Sequence, residues 1–250
     1  MERYTIQLLY KMAVACNVSY LDSKDAKPHF KNMLNANVIS FLDINGAQAY
    51  ITETDEYHII SFRGTEPSEW SDIKADLYAL KETDEPFTYG KVHRGFKKEV
   101  DKLWPTLQGW LTSEQKKLKT LIITGHSLGA AMATIFSSRI KKYFQHTLVT
   151  FGSPRVGNFK FTCECNDVKH YRVQNNNDIV TRVAPAWMGF KHHGENVYLN
   201  HYGNIRKLTP WQKIKDQWRG RIAAFKKKQF FDGMYDHSMS HYIKALEKNV

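Results

Sequence analysis

Cysteine is scarce in this chain of 250 residues: Cys16, Cys163 and Cys165 form an odd set that excludes a fully paired disulfide framework. Cys163 and Cys165 make a Cys-x-Cys pair, but no further Cys or His stands at ligand spacing from them, so the set is not a zinc framework either. Reduced thiols are the expectation. Long apolar runs are missing as well, and no stretch is long enough to span a bilayer. The N-terminal MERYTIQLLYKMAVACNVSY is interrupted by Gln7, Lys11 and Asn17 and reads as an amphipathic helix, not a secretory leader. A cytoplasmic or peripheral-membrane location is expected, with secretion if a leader has been trimmed. Repeats and Gly/Ser-rich linkers are absent, which leaves one domain over residues 1–250, a length that α/β folds commonly reach as a single core.

Acidic residues are the minority: 25 Asp and Glu against 36 Lys and Arg, a formal charge of +11. Such an excess invites a nucleic-acid partner, because Lys/Arg patches bind phosphate chains whatever their sequence. No helix-turn-helix, zinc-finger or RNP-like pattern accompanies it, so nucleic acid is disfavoured. The excess is concentrated between Arg206 and Lys228, where Arg206, Lys207, Lys213, Lys215, Arg219, Arg221, Lys226, Lys227 and Lys228 face only Asp216. An anionic membrane surface suits such a segment.

What the chain does have is ordered patterning. After the N-terminal helix, LDSKDAKPHFK carries a proline and no periodicity, and reads as a loop. Val38 to Asp43, Ala47 to Thr52 and Tyr57 to Phe62 alternate around Asn45-Gly46 and Asp55-Glu56, the pattern of an antiparallel meander. From about Lys97 the texture changes. Helical stretches at Phe96 to Leu107 and Trp110 to Lys117 precede a strand at Leu121 to Ile123 and a helix at Ala130 to Arg139. A strand at Thr147 to Phe151, a short helix at Asn158 to Cys165 and a strand at Lys169 to Val173 follow. Alternating strand and helix predicts an α/β fold: a mixed central sheet, antiparallel at its start and parallel in the middle, with helices on both faces.

The chemistry is signalled at the strand-to-helix junction TGHSLGAAMA. A serine between glycines two positions to either side, after an apolar strand and before an Ala-rich helix, is the G-x-S-x-G nucleophile elbow. The apex backbone is strained, and the glycines let strand and helix pass without Cβ clashes. Ser127 is the candidate nucleophile; a plain Gly-rich turn is the alternative. A serine nucleophile needs a base, a group to orient that base, and donors for the developing oxyanion.

Chain order supplies candidates. In α/β hydrolases the sequence runs Ser, then Asp or Glu, then His. Asp178 lies just past the C-terminal end of the strand in KHYRVQNNNDIVTRVAP, whereas Asp167 precedes it at the wrong end; Asp178 could also be a turn aspartate bonding its own backbone. Of eleven histidines, His237 stands at the start of the helix in YDHSMSHYIKAL, and His241 is one turn further in. His237 is preferred as the base. The N–H of Leu128 is one oxyanion donor by construction of the elbow. A second is expected after the strand Tyr57 to Phe62, where Gly64 allows a tight turn and Thr65 offers both N–H and hydroxyl, unless this is a plain turn.

Taken in order from near Ala13 to the C-terminus, SFRGTEPSEWSDIKADL, VHRGF, TGHSLGAAMA, TFGSPRVGN, NNNDIVTRVAP and DHSMSHYI resemble the class 3, fungal-type triacylglycerol lipase family of α/β hydrolases. The resemblance implies an α/β-hydrolase fold, with Ser127 as nucleophile, Asp178 and His237 as its partners, and Thr65 and Leu128 as oxyanion donors. It implies hydrolysis of acylglycerols or related lipids through an acyl-enzyme, with neither cofactor nor metal. Secreted fungal members carry a leader and disulfides, and this sequence departs from them in both. The family's lid is expected at Pro67 to Ala79, with Trp70, Ile73 and Leu77 on one helical face; these are otherwise ordinary core.

A second interface candidate is WQKIKDQWRGRIAAFKKKQFF. On a helix, Trp211, Ile214, Trp218, Ile222 and Phe225 form one stripe with cations around it. Core packing is the safer reading of that stripe, because such faces meet protein more often than lipid. A phospholipase A1, a soluble short-chain esterase, and a non-enzymatic lipid- or partner-binding protein on the same fold are the alternative functions.

Overall fold

The sheet begins where the alternation is cleanest. β1 (Asn37–Ile44) and β2 (Ala47–Glu53) pair antiparallel with Ile44 opposite Ala47. Asn45 and Gly46 close them at φ 52° and 83°. Two successive left-handed residues are what a type I′ hairpin turn requires, and Asn-Gly adopts them with least strain. β3 (Tyr57–Phe62) adds antiparallel to β2, and all of its residues are buried, as in a strand covered on both faces. The computed structural model describes residues 1–64, 80–114, 119–226 and 232–250, with the side chains of 224–226 and 232 outside that description.

Beyond β3 the sheet turns parallel. β6 (Thr120–His126), β7 (His146–Phe151), β9 (Lys169–Asn175) and β11 (Glu195–Leu199) complete the order β1-β2-β3-β6-β7-β9-β11. Successive residues of a strand point to opposite faces, so β6 sends Leu121 and Ile123 one way and Ile122 the other. On the first face they meet α3 (Arg94–Glu114) and α4 (Leu128–Ile140) through Val100, Leu103, Leu107, Ile135 and Phe136. On the second face Ile122, Val149 and Val173 meet α1 (Arg3–Val18) and α8 (Met239–Glu247) through Leu9, Met12, Tyr242 and Leu246.

Several expectations are corrected here. The stretch read as a loop forms α2 (Ser23–Leu34), which runs through Pro28. Ala26 and Phe30, four residues apart and therefore on one side, are fully buried, with the Phe30 ring 5.3 Å from that of Tyr50. Tertiary burial overrides the polar composition. The two helical stretches after Lys97 join into the single α3, whose Phe96, Val100, Leu103, Leu107 and Leu111 recur at helical spacing on the buried side.

A small second sheet, unforeseen in the sequence, has the order β10-β8-β5-β4, from β4 (Lys81–Asp84), β5 (Thr88–His93), β8 (Gly157–Asn158) and β10 (Phe190–Lys191). Arg139 of α4 anchors it, donating from Nε and Nη2 to Asp84 at 2.9 and 2.6 Å with both side chains buried. Such two-pronged pairing satisfies both charges at once.

Candidate active site

The β6–α4 junction has the geometry that its glycines anticipate. Ser127 sits at φ 60°, ψ −126°, a strained conformation for a residue with a side chain. Its N–H donates to Phe151 O at 3.0 Å, and its carbonyl accepts from Ala130 N at 3.1 Å, so the neighbouring strand and the helix clamp it from both sides. A Cβ on Gly125 would lie 2.3 Å from Gly129 O, and one on Gly129 would lie 2.3 Å from Phe62 O. Both glycines are therefore steric necessities of the turn. Leu128 opens α4, where the first N–H groups have no partner within the helix. The Ser127 hydroxyl is buried.

Asp178 lies in the turn that follows β9, fully buried. Its carboxylate accepts from Val180 N at 2.9 Å, from His237 Nδ1 at 2.9 and 3.0 Å, and from the Tyr242 hydroxyl at 2.5 Å. Three donors converging on one carboxylate fix its orientation toward His237. His237 lies between α7 (Asp232–Tyr235) and α8, immediately before the α8 N-cap Ser238. His241, by contrast, is half-buried, with its ring 4.0 Å from that of Tyr235.

Three residues complete this arrangement without having been singled out in the sequence. Tyr242 holds Asp178 and also accepts from Asn175 N at 3.1 Å; burial first, then the Asp178 charge, pushes its hydroxyl well above its ordinary pKa. It lies on the α8 face that packs against the sheet, so only the fold reveals it. Gly152, at φ 54°, ends β7 beside the pair: a Cβ there would sit 2.6 Å from Asp178 Oδ2 and 2.7 Å from His237 Nδ1. The Gly in TFGSP was a visible signal. Tyr20 completes a chain through the elbow. The His237 carbonyl can only accept, so His126 Nε2 donates to it at 2.8 Å; burial, with His237 adding to it, holds His126 well below its usual pKa, so its Nδ1 accepts from Tyr20 at 2.8 Å.

The structure thus joins Asp178 and His237 directly and ties both to the elbow through Gly152 and His126. Gly64 also abuts the elbow, since its missing Cβ would lie 3.3 Å from Ser127 Cβ. Thr65, Trp70, Ile73 and Leu77 lie outside the described residues, as does the side chain of Phe225.

The basic segment forms the helix α6 (Pro210–Lys226), and core packing of its stripe is overturned. Trp211, Ile214, Trp218 and Ile222 are 63, 46, 57 and 52% exposed. The polar side of the helix faces the protein instead. Asp216 accepts from the Tyr198 hydroxyl and His201 N, each at 3.0 Å; Lys213 donates to Gln174 at 2.8 Å; and Asn177 donates to the Gln217 carbonyl at 2.8 Å. Gly220 is buried close to Asn176 and Asn177, where a Cβ would lie 2.8 Å from Asn177 Nδ2. Hydrogen bonds orient the helix, and its apolar stripe is left outward. Among the described residues no helix is long and apolar enough to cross a membrane.

Comparison with known proteins places this geometry. The family model described as lipase (class 3) matches residues 59–188, more than half of the 250. The toxin TseL of Vibrio cholerae is 30% identical over 184 residues, 57% of this chain and 28% of that protein. A lipase of Rhizopus niveus is 30% identical over 70% of this chain and 46% of its own length. A secreted mono- and diacylglycerol lipase of Malassezia restricta is 28% identical over 62% and 54%. The chain therefore spans between 28% and 54% of the length of these relatives. The triacylglyceride lipase of Rhizomucor miehei superimposes with a TM-score of 0.70 at 25% identity, covering 80% of this chain and 82% of that one. The fold is that of the α/β hydrolases, and the chain belongs to the class 3 lipase family.

Proposed function

We propose that this protein is a serine hydrolase of acylglycerols or related lipid esters that works at an anionic membrane surface. The observation that carries the reading is the bond from His237 Nδ1 to the fully buried Asp178, next to the strained elbow that bears Ser127. With Nδ1–H committed to Asp178, the neutral His237 ring has its lone pair on Nε2. It takes the Ser127 proton as Oγ attacks the ester carbonyl, and Asp178 stabilises the imidazolium that results. The Leu128 N–H, together with Thr65, stabilises the tetrahedral oxyanion. Collapse of that intermediate returns the proton to the departing alcohol. Water, deprotonated by His237, then releases the fatty acid from the acyl-enzyme.

Lipid substrate is supported by the Rhizopus and Malassezia relatives, whose names describe lipases. Membrane contact is supported by α6: Lys215 lies over the Trp211 ring at 5.2 Å and Arg221 over Trp218 at 5.7 Å, so cations flank an outward apolar stripe. This is the composition of a helix lying in the plane of an anionic interface. The free thiols of Cys16, Cys163 and Cys165 support action in a reducing compartment.

Hydrolysis of tributyrin, followed as its concentration crosses the solubility limit with Ser127→Ala as the blank, tests the reading. A rate that jumps at the limit is expected. Smooth saturation would point to an esterase of dispersed substrate, and turnover no faster than the Ser127→Ala blank would remove the hydrolase assignment.

A further inference from the structure

On β9, His170, Arg172 and Gln174 alternate onto one face of the sheet. Arg172 is 7% exposed, and neither Nε nor Nη1 has a hydrogen-bond partner. Other cations gather near it. Lys213 reaches in from α6 to Gln174 Oε1 at 2.8 Å, two residues along the same strand face. Gln174 in turn donates to Thr181, whose carbonyl accepts from His192 Nε2 at 2.9 Å. Arg155, from the segment after β7, donates to the Arg182 carbonyl at 2.8 Å, while the Arg182 guanidinium donates to Gln217 of α6 at 3.3 Å.

Arg155, Arg172, Arg182 and Lys213 are thus brought together, and among the described residues none of them forms an ion pair with a carboxylate. The cations feel one another. Burial, reinforced by Arg172 and Arg182, lowers Lys213 to about 8; burial, reinforced by Arg155 and opposed by Tyr242, lowers Arg172 to about 10. A buried guanidinium with two unsatisfied donors is among the least favourable groups a fold can retain without a counter-charge. An external anion removes the repulsion and fills the donors together. The charge selects its class: a phosphoryl group carries up to two negative charges and several strong acceptor oxygens, and the planar guanidinium fork matches two of those oxygens at once.

We propose that Arg172, with Arg155 and Lys213 beside it, forms a binding site for a phosphoryl anion between β9 and α6. The site stands independently of the hydrolase reading, because it needs no contact with the Ser127 elbow. Its ligand is either a free phosphate or the phosphate of a lipid head group. Anion binding there would fasten α6 to the sheet through Lys213.

Thermal unfolding of the full chain in rising inorganic phosphate, at constant ionic strength in chloride, tests this without reference to activity. A saturable rise in Tm is expected. Arg172→Gln should weaken the apparent affinity by about tenfold or more, as for a hydrogen bond to a charged group; Lys213→Gln should weaken it less, and Lys142→Gln, on an exposed surface elsewhere, not at all. Should Arg172→Gln fail to fold, Arg155→Gln and Lys213→Gln carry the comparison. Competition by a short-chain phosphatidylglycerol below its micellar concentration identifies the head group as the source, whereas saturable phosphate binding without such competition identifies a free anion. A rise that does not saturate, or that is the same in every variant, overturns the site and leaves Arg172 solvated by buried water.

Discussion

The Cβ that Gly152 lacks would stand 2.6 Å from Asp178 Oδ2, closer than a non-bonded Cβ and oxygen approach. The close of β7 is therefore shaped around the carboxylate, and the space a side chain would take holds the Asp178–His237 contact. Gly152→Ala adds a methyl group there and also places a side chain at φ 54°. Displacement of the pair by about 1 Å is expected to lower kcat by roughly a hundredfold. Far-UV circular dichroism together with kcat on a soluble p-nitrophenyl ester checks this: a folded variant at wild-type rate would show that the contact has no part in turnover.

Tyr242→Phe removes one of the three donors to Asp178 and leaves the aromatic ring in the core. A hydrogen bond to a charged group contributes about 1.5–3 kcal/mol, so kcat/KM should fall about tenfold or more. A folded Tyr242→Phe variant with kcat/KM at the wild-type value would assign Tyr242 to packing alone.

Legibility in the sequence followed the range of the forces involved. The elbow could be read because Gly125, Ser127 and Gly129 answer to local sterics, and the Asn45-Gly46 hairpin because its turn type dictates its residues. Asp178 and His237 could be placed because chain order and sheet polarity put them at the same edge. Long-range packing was not legible. Phe30 stabilises α2 across a composition that suggests a loop, and the outward stripe of α6 follows from hydrogen bonds made by Lys213, Asp216 and Gln217 to segments far away in sequence. A period of 3.6 says that one side of a helix is apolar; it does not say which side meets the protein.

Buried histidines make stability depend on pH. His126 and His170 are held well below their ordinary value of 6.5, in both cases by burial first. Above that value both folded and unfolded chains carry the two rings neutral, and the contribution is constant. Below it the unfolded chain takes up protons that the native chain refuses, so stability is lost as pH falls, by up to about 1.4 kcal/mol per pH unit for each ring. Urea midpoints should stay level from about pH 7.5 to about pH 6.5 and fall from there toward about pH 5.5, and His170→Gln should reduce the slope of that fall by about one proton. A flat series would mean that these rings are not held neutral.

Exposure of the α6 stripe separates two consequences of one substitution. Trp211 and Trp218 make little contact with the folded chain, being 63 and 57% exposed, so replacing either by serine should leave Tm close to wild type. The loss should appear at a lipid surface, where burying a large apolar side chain is favourable by about 2 kcal/mol; partitioning onto phosphatidylglycerol vesicles is then expected to weaken by roughly thirtyfold for each. Lys215, Arg219 and Arg221 add an electrostatic attraction, so wild-type binding should weaken as salt shortens the screening length to about 8 Å near physiological ionic strength. Co-sedimentation with vesicles at two salt concentrations measures both effects. Undiminished vesicle binding by Trp211→Ser and Trp218→Ser would remove lipid as the occupant of this face. A concentration-dependent mass above that of one chain, lost in those variants, would assign the stripe to contact between copies.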